Sequence, residues 1–280
     1  MLKFKLLSKS EAKSYIAKPD VYLNSLTPYY IKSILKKSDQ YDSFVKNFQN
    51  SCFDFNANSH EEIKEYEILF NHRLKQLNID IDKTIFLILT DGSDNIRLPY
   101  TKGEAIIIPN KRFSLFNNGS SQLLSYALIA HETFHALSRN NTNLRKDCYK
   151  SLGWKDAGHN LFPEHILKDV FINPDAVSHD HYIEFTDRYN RAHNIAPIMY
   201  KGMGQNFFGV FDENLQFEKL QHFNEFYGYN YLWKNTSYNN HPEELSAEHF
   251  MLLISKDQEN YSDTFIMKKF YRALINNFGI

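Results

Sequence analysis

The sequence predicts an α+β fold that is mainly helical and contains one small sheet. Residues 61–77 place apolar side chains along one face of a helix. Two short apolar runs, 84–90 and 105–108, are each closed by turn residues, which is typical of strands. From residue 120 onward the apolar residues follow a helical period that continues through His135. The pattern therefore predicts helices before and after a pair of strands.

The order of these elements predicts two domains. Residues 1–80 are expected to form an N-terminal helical subdomain, and the rest of the chain, residues 81–280, to form a larger domain that carries the chemistry. Within the larger domain, the two strands and the long central helix occupy residues 81–141. Ser120 or Ser121 can cap the first turn of that helix.

The last part of the chain, residues 142–280, is less regular. Residues 142–238 contain scattered glycines and prolines and predict irregular structure with a short strand near 205–210. A helix is expected to begin at Pro242, because proline fits the first helical position and the acidic residues after it favour the positive end of a helix. A final amphipathic helix is expected over residues 261–277.

Length, composition and charge exclude several classes of protein. With 280 residues, 42% of them apolar and 15% aromatic, the chain can build its own core without disulfides or a structural metal. The 32 basic and 33 acidic residues nearly cancel, so we expect no nucleic-acid partner. Cys52 and Cys148 are too few and too far apart for a disulfide framework, and we expect free thiols.

The sequence shows no signal for export or for insertion into a membrane. Its first eight residues include lysines but no apolar run long enough for the core of a signal peptide. No later stretch approaches the length of a membrane span. We therefore expect a cytoplasmic protein, or one that is exported without a recognisable signal peptide, as an effector would be.

The segment His-Glu-Thr-Phe-His at residues 131–135 carries the predicted chemistry. Two histidines four residues apart lie on one face of a helix with Cβ atoms about 5–6 Å apart, which lets both imidazoles reach one ion. Glu132 lies at the edge of that face, where a carboxylate can act as a general base on a water molecule beside the metal. In a buried helix these three polar groups would otherwise cost about 1–3 kcal/mol each. His131 and His135 are thus predicted zinc ligands.

A catalytic zinc site also needs a third protein ligand and an open position. Asn141 stands where the metzincin pattern has its third histidine, so that pattern is excluded. Glu244 is the best third ligand, because Glu244 and Glu248 lie one turn apart near the start of a helix, where like charges repel unless a cation lies nearby. Glu248 is then expected to support one of the ligand histidines.

The residues alone leave other assignments open. Glu244 and Glu248 would otherwise be solvated charges on a helix surface. The irregular region offers several rivals for the third ligand, namely His159, Glu164, Asp175, His179 and His181.

Residues 238–250 resemble part of a known group of enzymes. An HExxH helix followed by a distant helix with two glutamates four residues apart is similar to the gluzincin metallopeptidases, and this stretch is similar to the corresponding helix of the anthrax lethal factor and Pro-Pro endopeptidase families. The resemblance covers two helices and implies a zincin-like fold with a small sheet over the HExxH helix. It also implies a zinc ligand at Glu244, a supporting group at Glu248 and an oxyanion donor at Tyr238.

The expected activity is zinc-dependent hydrolysis of a protein or peptide substrate. Zinc would activate a water molecule, and Glu132 would take the water's proton and pass it to the leaving amine. Tyr238 is the first choice of oxyanion donor, followed by Tyr231 or His222. Residues 105–108 are the candidate edge strand of the sheet, which would hold an extended substrate by strand addition; the alternative is an ordinary buried strand.

Two alternatives involve no catalysis. A catalytically idle zincin fold would serve as a binding or toxin-delivery module, and loss of the base would indicate it. A structural zinc site would have four protein ligands and no open position. The presence of Glu132 favours an enzyme, whereas substrate and oligomeric state leave no signal in the sequence.

Overall fold

The computed structural model describes a mixed α+β protein built on two sheets, which confirms the predicted class. None of the described helices is long and apolar enough to cross a membrane. Cys52 and Cys148 are buried free thiols, as expected. The described residues are 1–95, 97–113, 122–187, 189–201, 206–226, 228–229, 232–236, 238, 241–255 and 263–279. The expected caps Ser120 and Ser121 lie outside them.

The first sheet contains the two predicted strands and three more. Its strands are β1 (Lys3–Leu6), β2 (Cys52–Phe53), β3 (Thr84–Thr90), β4 (Tyr100–Lys102) and β5 (Ala105–Pro109). They lie in the order β1-β3-β5-β4, with β2 also beside β3; β1, β3 and β5 are parallel, and β4 is antiparallel to β5.

β4 forms the edge of this sheet next to β5 and β1 forms the other edge, so the expectation that residues 105–108 form an edge is wrong. The chain reverses at Gly103, whose φ of +59° suits a residue without a side chain, and this turn lays β5 between β3 and β4. β4 escaped the sequence pattern because it is only three residues long.

Helices cover both faces of the first sheet. Side chains alternate between these two faces along each strand, so both faces are packed. Ile107 of β5 faces a cluster beneath the first four N-terminal helices, whereas Ile106 and Ile108 face the larger core, to which the fifth helix contributes Phe70. The N-terminal helices are α1 (Lys9–Ile16), α2 (Val21–Ser25), α3 (Pro28–Leu35), α4 (Tyr41–Ser51) and α5 (Ala57–Gln76). Four of them begin at side chains that accept a hydrogen bond from the first turn, which are Ser8, Asp20, Thr27 and Asn56.

The N-terminal part is mainly helical, as predicted, but it also contributes strands. β1 and β2 both pair with β3, and Phe70 of α5 packs edge-on against Phe4 of β1 with ring centroids 6.0 Å apart. The division of the chain near residue 80 stays a prediction.

The second sheet occupies the region that was expected to be irregular. Its strands are β6 (Lys155–Asp156), β7 (His181–Thr186), β8 (Ala192–Met199), β9 (Asn206–Phe211) and β10 (Phe217–His222), all antiparallel and adjacent in sequence order. Position 209 in β9 requires glycine, because a Cβ atom there would lie 2.5 Å from the ring of Phe162. The predicted strand near residues 205–210 corresponds to β9.

The remaining helices form the centre of the molecule. They are α6 (Asn110–Phe113), α7 (Gln122–Arg139), α8 (Thr142–Ser151), α9 (Glu164–Leu167), α10 (Pro242–Ser255) and α11 (Thr264–Phe278). α7 packs on α10, and Phe134 lies between Phe250 and Phe270 with ring centroids 5.7 and 6.1 Å away. This aromatic contact fixes the relative position of the two helices that carry the predicted ligands.

The buried amine of Lys102 yields a test of the fold. Its Nζ donates to the carbonyl oxygen of Lys18 at 2.6 Å and lies 3.4 Å from Asp20 Oδ1, with 2% of the side chain exposed. Asp20→Asn should lower the free energy of unfolding by about 3 kcal/mol, measured by urea denaturation, because it removes the only charge paired with this amine among the described residues. Asp82→Asn is the control, since that side chain is 92% exposed in its pair with the Met1 amine. Equal small effects in both variants would contradict this account.

Candidate metal centre

Three predicted ligands converge between α7 and α10. The helical spacing of α7 puts His131 and His135 on one face, with their Nε2 atoms 3.1 Å apart. Oε2 of Glu244, from the first turn of α10, lies 3.2 Å from His131 Nε2 and 3.5 Å from His135 Nε2. All three side chains are buried. Their ligand atoms lie within 4.8 Å of one another, close enough to hold one metal ion.

The donor set fits a metal ion. Two imidazole nitrogens and one carboxylate oxygen, with room for a further ligand, form the usual set of a catalytic zinc site. Burial by itself lowers the pKa of His131, but hydrogen bonds to Glu244 and Glu248 raise it to about 9. Burial raises the pKa of Glu244, but the charges of His135 and His131 and the hydrogen bonds to both rings together outweigh burial and hold that pKa well below its usual range. The site is thus built for a positive charge, which either protons or an ion supply.

Each ligand histidine is held from behind by its own carboxylate. Glu248 Oε1 lies 3.2 Å from His131 Nδ1, in the supporting place that the sequence predicted for it. Glu243 Oε1 lies 2.9 Å from His135 Nδ1. A carboxylate at Nδ1 fixes the proton there, so that Nε2 presents its lone pair to the metal position. These two contacts orient the Nε2 atoms of His131 and His135 toward Glu244.

The role of Glu243 could not be predicted from its spacing in the sequence. Its carboxylate also accepts hydrogen bonds from Ser138 Oγ, one turn after His135 on α7, and from the Tyr149 hydroxyl on α8. Burial raises its pKa, but the contact with His135 lowers it overall and keeps the group ionised. The only signal in the sequence is its position beside Glu244, which is also the position of an ordinary acidic residue in a first helical turn.

The first turn of α10 is held in place by two further side chains. His241 Nδ1 accepts from the Glu243 backbone N–H at 3.0 Å, and its Nε2 donates to the Ser178 carbonyl at 3.1 Å. Burial lowers the pKa of His241, which keeps the ring neutral so that Nδ1 can accept. Asn173 Nδ2 donates to Glu244 Oε1 at 2.5 Å, and Oε2 is the carboxylate oxygen that faces the two histidines.

Glu132 is the carboxylate beside the metal position. It is buried, and Oε2 has no hydrogen-bond partner among the described residues. Burial and the nearby charge of Asp175 raise its pKa to about 8. Asp175 accepts from the Thr101 backbone N–H at 2.7 Å and lies 3.4 Å from Arg139 Nη2. Oε2 of Glu132 therefore makes no hydrogen bond that would hold the described part of the fold together.

Glu132, His135 and Asp175 form a second set close enough for one ion. His135 has only Nε2 available, because Nδ1 is bound to Glu243, so the two sets cannot be filled together. The first set uses both histidines and leaves Glu132 free. It is the better metal site for that reason.

An open cleft of about 150 Å³ reaches the site from the surface. His131, Glu132 and Glu244 line its floor, and Tyr238 lines one side, with its ring centroid 6.1 Å from that of His131. Tyr238 is 44% exposed, and the charge of Glu244, followed by burial and Asp175, raises the pKa of its phenol. The phenol therefore keeps its proton at neutral pH.

The other candidate residues have different places. His159 and Glu164 are exposed, and His181 pairs with Asp180 at 2.7 Å. His222 is exposed and caps a short 3-10 helix, Phe223–Glu225. His179 lines the cleft but belongs to neither candidate metal set. Tyr231 lies outside the described residues.

Comparison of the chain with protein-family models, with curated proteins and with solved structures gives no match in any of the three.

The two supporting carboxylates predict unequal effects on metal binding. Glu243→Gln should weaken zinc binding about 10–100-fold, because it removes the anion that orients His135. Glu248→Gln should weaken it less, since the Glu248 side chain is 19% exposed and that of Glu243 is 5% exposed. Competition against a chromophoric chelator measures both affinities. Glu213→Gln, an exposed change, is the control. Equal affinity in Glu243→Gln and the unaltered protein would show that this carboxylate does not hold the ligand.

Proposed function

We propose that the protein is a zinc-dependent metallopeptidase of the gluzincin type with a zincin-like fold. The observation that carries the proposal is one juxtaposition: a buried set of two histidines and a glutamate lies beside a buried carboxylate, Glu132, whose Oε2 has no hydrogen-bond partner among the described residues. Both face the same open cleft. Hydrolysis by metal and general base needs these groups together.

The residues that would hold the metal are His131, His135 and Glu244. Zinc bound there would lower the pKa of a water ligand towards about 7 and polarise the carbonyl of a substrate. Glu243 and Glu248 would keep the two imidazoles oriented. Since these carboxylates already lie at both Nδ1 atoms, little reorganisation of the protein would accompany metal binding.

Glu132 would act as the general base. Its carboxylate is held on a rigid helix at the floor of the cleft and is not engaged by any described donor through Oε2. Burial raises its pKa to about 8, and a cation at the neighbouring site would draw that pKa down towards neutrality. A base near neutrality accepts a proton from water and then donates it to the nitrogen of the leaving amine.

Tyr238 would stabilise the oxyanion. Its phenol lines the cleft on the side of His131 and Glu244, and the surrounding carboxylates keep it protonated. A protonated phenol donates a hydrogen bond to the negative oxygen that develops at the scissile carbonyl. Its half-exposed ring has room to move onto a bound substrate.

Two alternative functions fit the site less well. A structural zinc site would be closed by a fourth protein ligand, whereas the first candidate set contains three residues among those described and opens onto a cleft. An idle binding module would not need a carboxylate such as Glu132 at the metal position. The cleft and Glu132 therefore both support an enzyme.

Two isosteric substitutions distinguish the role of general base from the role of metal ligand. Glu132→Gln should keep about one zinc per chain and abolish cleavage of a broad peptide mixture, because an amide cannot accept the proton of water. Glu244→Gln should lower zinc content, because it removes an anionic ligand. Elemental analysis and mass spectrometry of the peptide digest measure the two outcomes.

His131→Ala and His135→Ala are the matched tests of the ligands and should both lose zinc. Full zinc content in either histidine variant would contradict the ligand assignment. Loss of zinc after Asp175→Asn, with full zinc in Glu244→Gln, would place the ion in the second set instead.

A further inference from the structure

The walls of the cleft suggest which substrates this site takes, an inference that rests on the proposed peptidase function. We propose that the enzyme selects a peptide by one bulky apolar side chain, of the size of phenylalanine or leucine, that enters the cleft beside the metal centre. The substrate is not held as an added strand of the first sheet. Five features of the described structure lead to this conclusion.

The edge strand β4 offers no free N–H group to a substrate strand. In β4, the N–H of Thr101 points away from β5, and it already donates to Asp175 Oδ1 at 2.7 Å. Two residues earlier, where an extended chain would present its next outward N–H, stands Pro99, which has none. Prolines and short strands are common means of blocking an exposed edge. Strand addition at this edge is therefore closed.

The opposite wall of the cleft is also closed to strand pairing. It is formed by the end of β8, residues 197–199, which pairs with β9 on one side, whereas β7 pairs only with residues 192–195 of this strand. The carbonyl of Met199 accepts from the Phe171 N–H at 2.8 Å, and Pro197 has no N–H. This wall consequently meets a substrate mainly with side chains.

Those side chains are apolar on both walls, and no charged group lies among them. The six apolar side chains that line the cleft on these walls are Leu98, Tyr100, Phe171, Pro197, Ile198 and Met199. When a metal replaces the proton on His131, the charged side chains that line the cleft are Glu132, Asp175 and Glu244. A charged substrate side chain would lose its water between such walls without gaining a partner, and an acidic one would also face these carboxylates.

The polar residues of the cleft are already engaged or neutral. Asn95 accepts from the Tyr30 hydroxyl at 3.0 Å, and Asn173 donates to Glu244. Burial lowers the pKa of His179 to about 4, so that its ring carries no charge at neutral pH. The cleft thus selects by shape and apolar contact.

The size of the cleft limits the side chain that it can hold. Its volume is about 150 Å³. An apolar cavity of about 150 Å³ is large enough for benzene. A phenylalanine or leucine side chain fits this space, whereas a tryptophan would displace the walls. Burying one such side chain corresponds to a preference of roughly 10–100-fold.

The test uses the zinc-loaded enzyme and matched peptides that differ at one position. Each of the two positions that flank the scissile bond is occupied in turn by glycine, leucine, phenylalanine, aspartate or lysine, and kcat/KM is measured for each peptide. At one of the two positions, leucine and phenylalanine should exceed glycine by about tenfold or more, and aspartate should be the poorest. Equal rates for all five residues at both positions would overturn the proposal and leave the peptidase assignment intact. Absence of cleavage in every peptide would overturn both.

Two variants tie the preference to this cleft. Leu98→Lys and Met199→Gln each make a wall polar and should reduce the preference for leucine and phenylalanine about tenfold, with zinc content unchanged. Leu69→Lys is the control, because Leu69 is 56% exposed on α5 and far from the cleft lining. An unaltered preference in both wall variants, at full zinc content, would contradict the proposal.

Discussion

The placement of two imidazole Nδ1 atoms against two carboxylates is the constraint on which the site depends. Glu248 holds His131 and Glu243 holds His135, so both Nε2 atoms point at Glu244. This arrangement requires α7 and α10 to lie side by side in a fixed register. The rest of the molecule supplies that register through buried aromatic contacts between the two helices and through a sheet that α7 packs against.

The same constraint concentrates like charge in two turns of one helix. Glu243, Glu244 and Glu248 are all held with pKa values below their usual range, because the histidines of α7 carry positive charge in the protein without metal. A divalent cation can replace those protons at the Nε2 side while the carboxylates at Nδ1 stay in place. Binding of a metal ion at this site would therefore be coupled to proton release and would need little rearrangement of the fold.

The sequence predicted the parts of the site that depend on local geometry. Helical spacing alone places His131 and His135 together, and repulsion between Glu244 and Glu248 marks the second helix. The sequence did not predict the role of Glu243, because that role arises from residues on α7 and α8 that only tertiary packing brings to α10. The second sheet was missed for a related reason: its strands lie among glycines and prolines in the sequence, and their pairing is set by neighbours along the sheet.

Anomalous diffraction at the zinc absorption edge, from crystals of the zinc-loaded protein, tests the central claim most directly. The account predicts one zinc ion bonded to His131 Nε2, His135 Nε2 and Glu244 Oε2 at about 2.0–2.2 Å, with the remaining position open to the cleft beside Glu132. A zinc ion elsewhere in the molecule, or one closed off by a fourth protein ligand at this site, would contradict it.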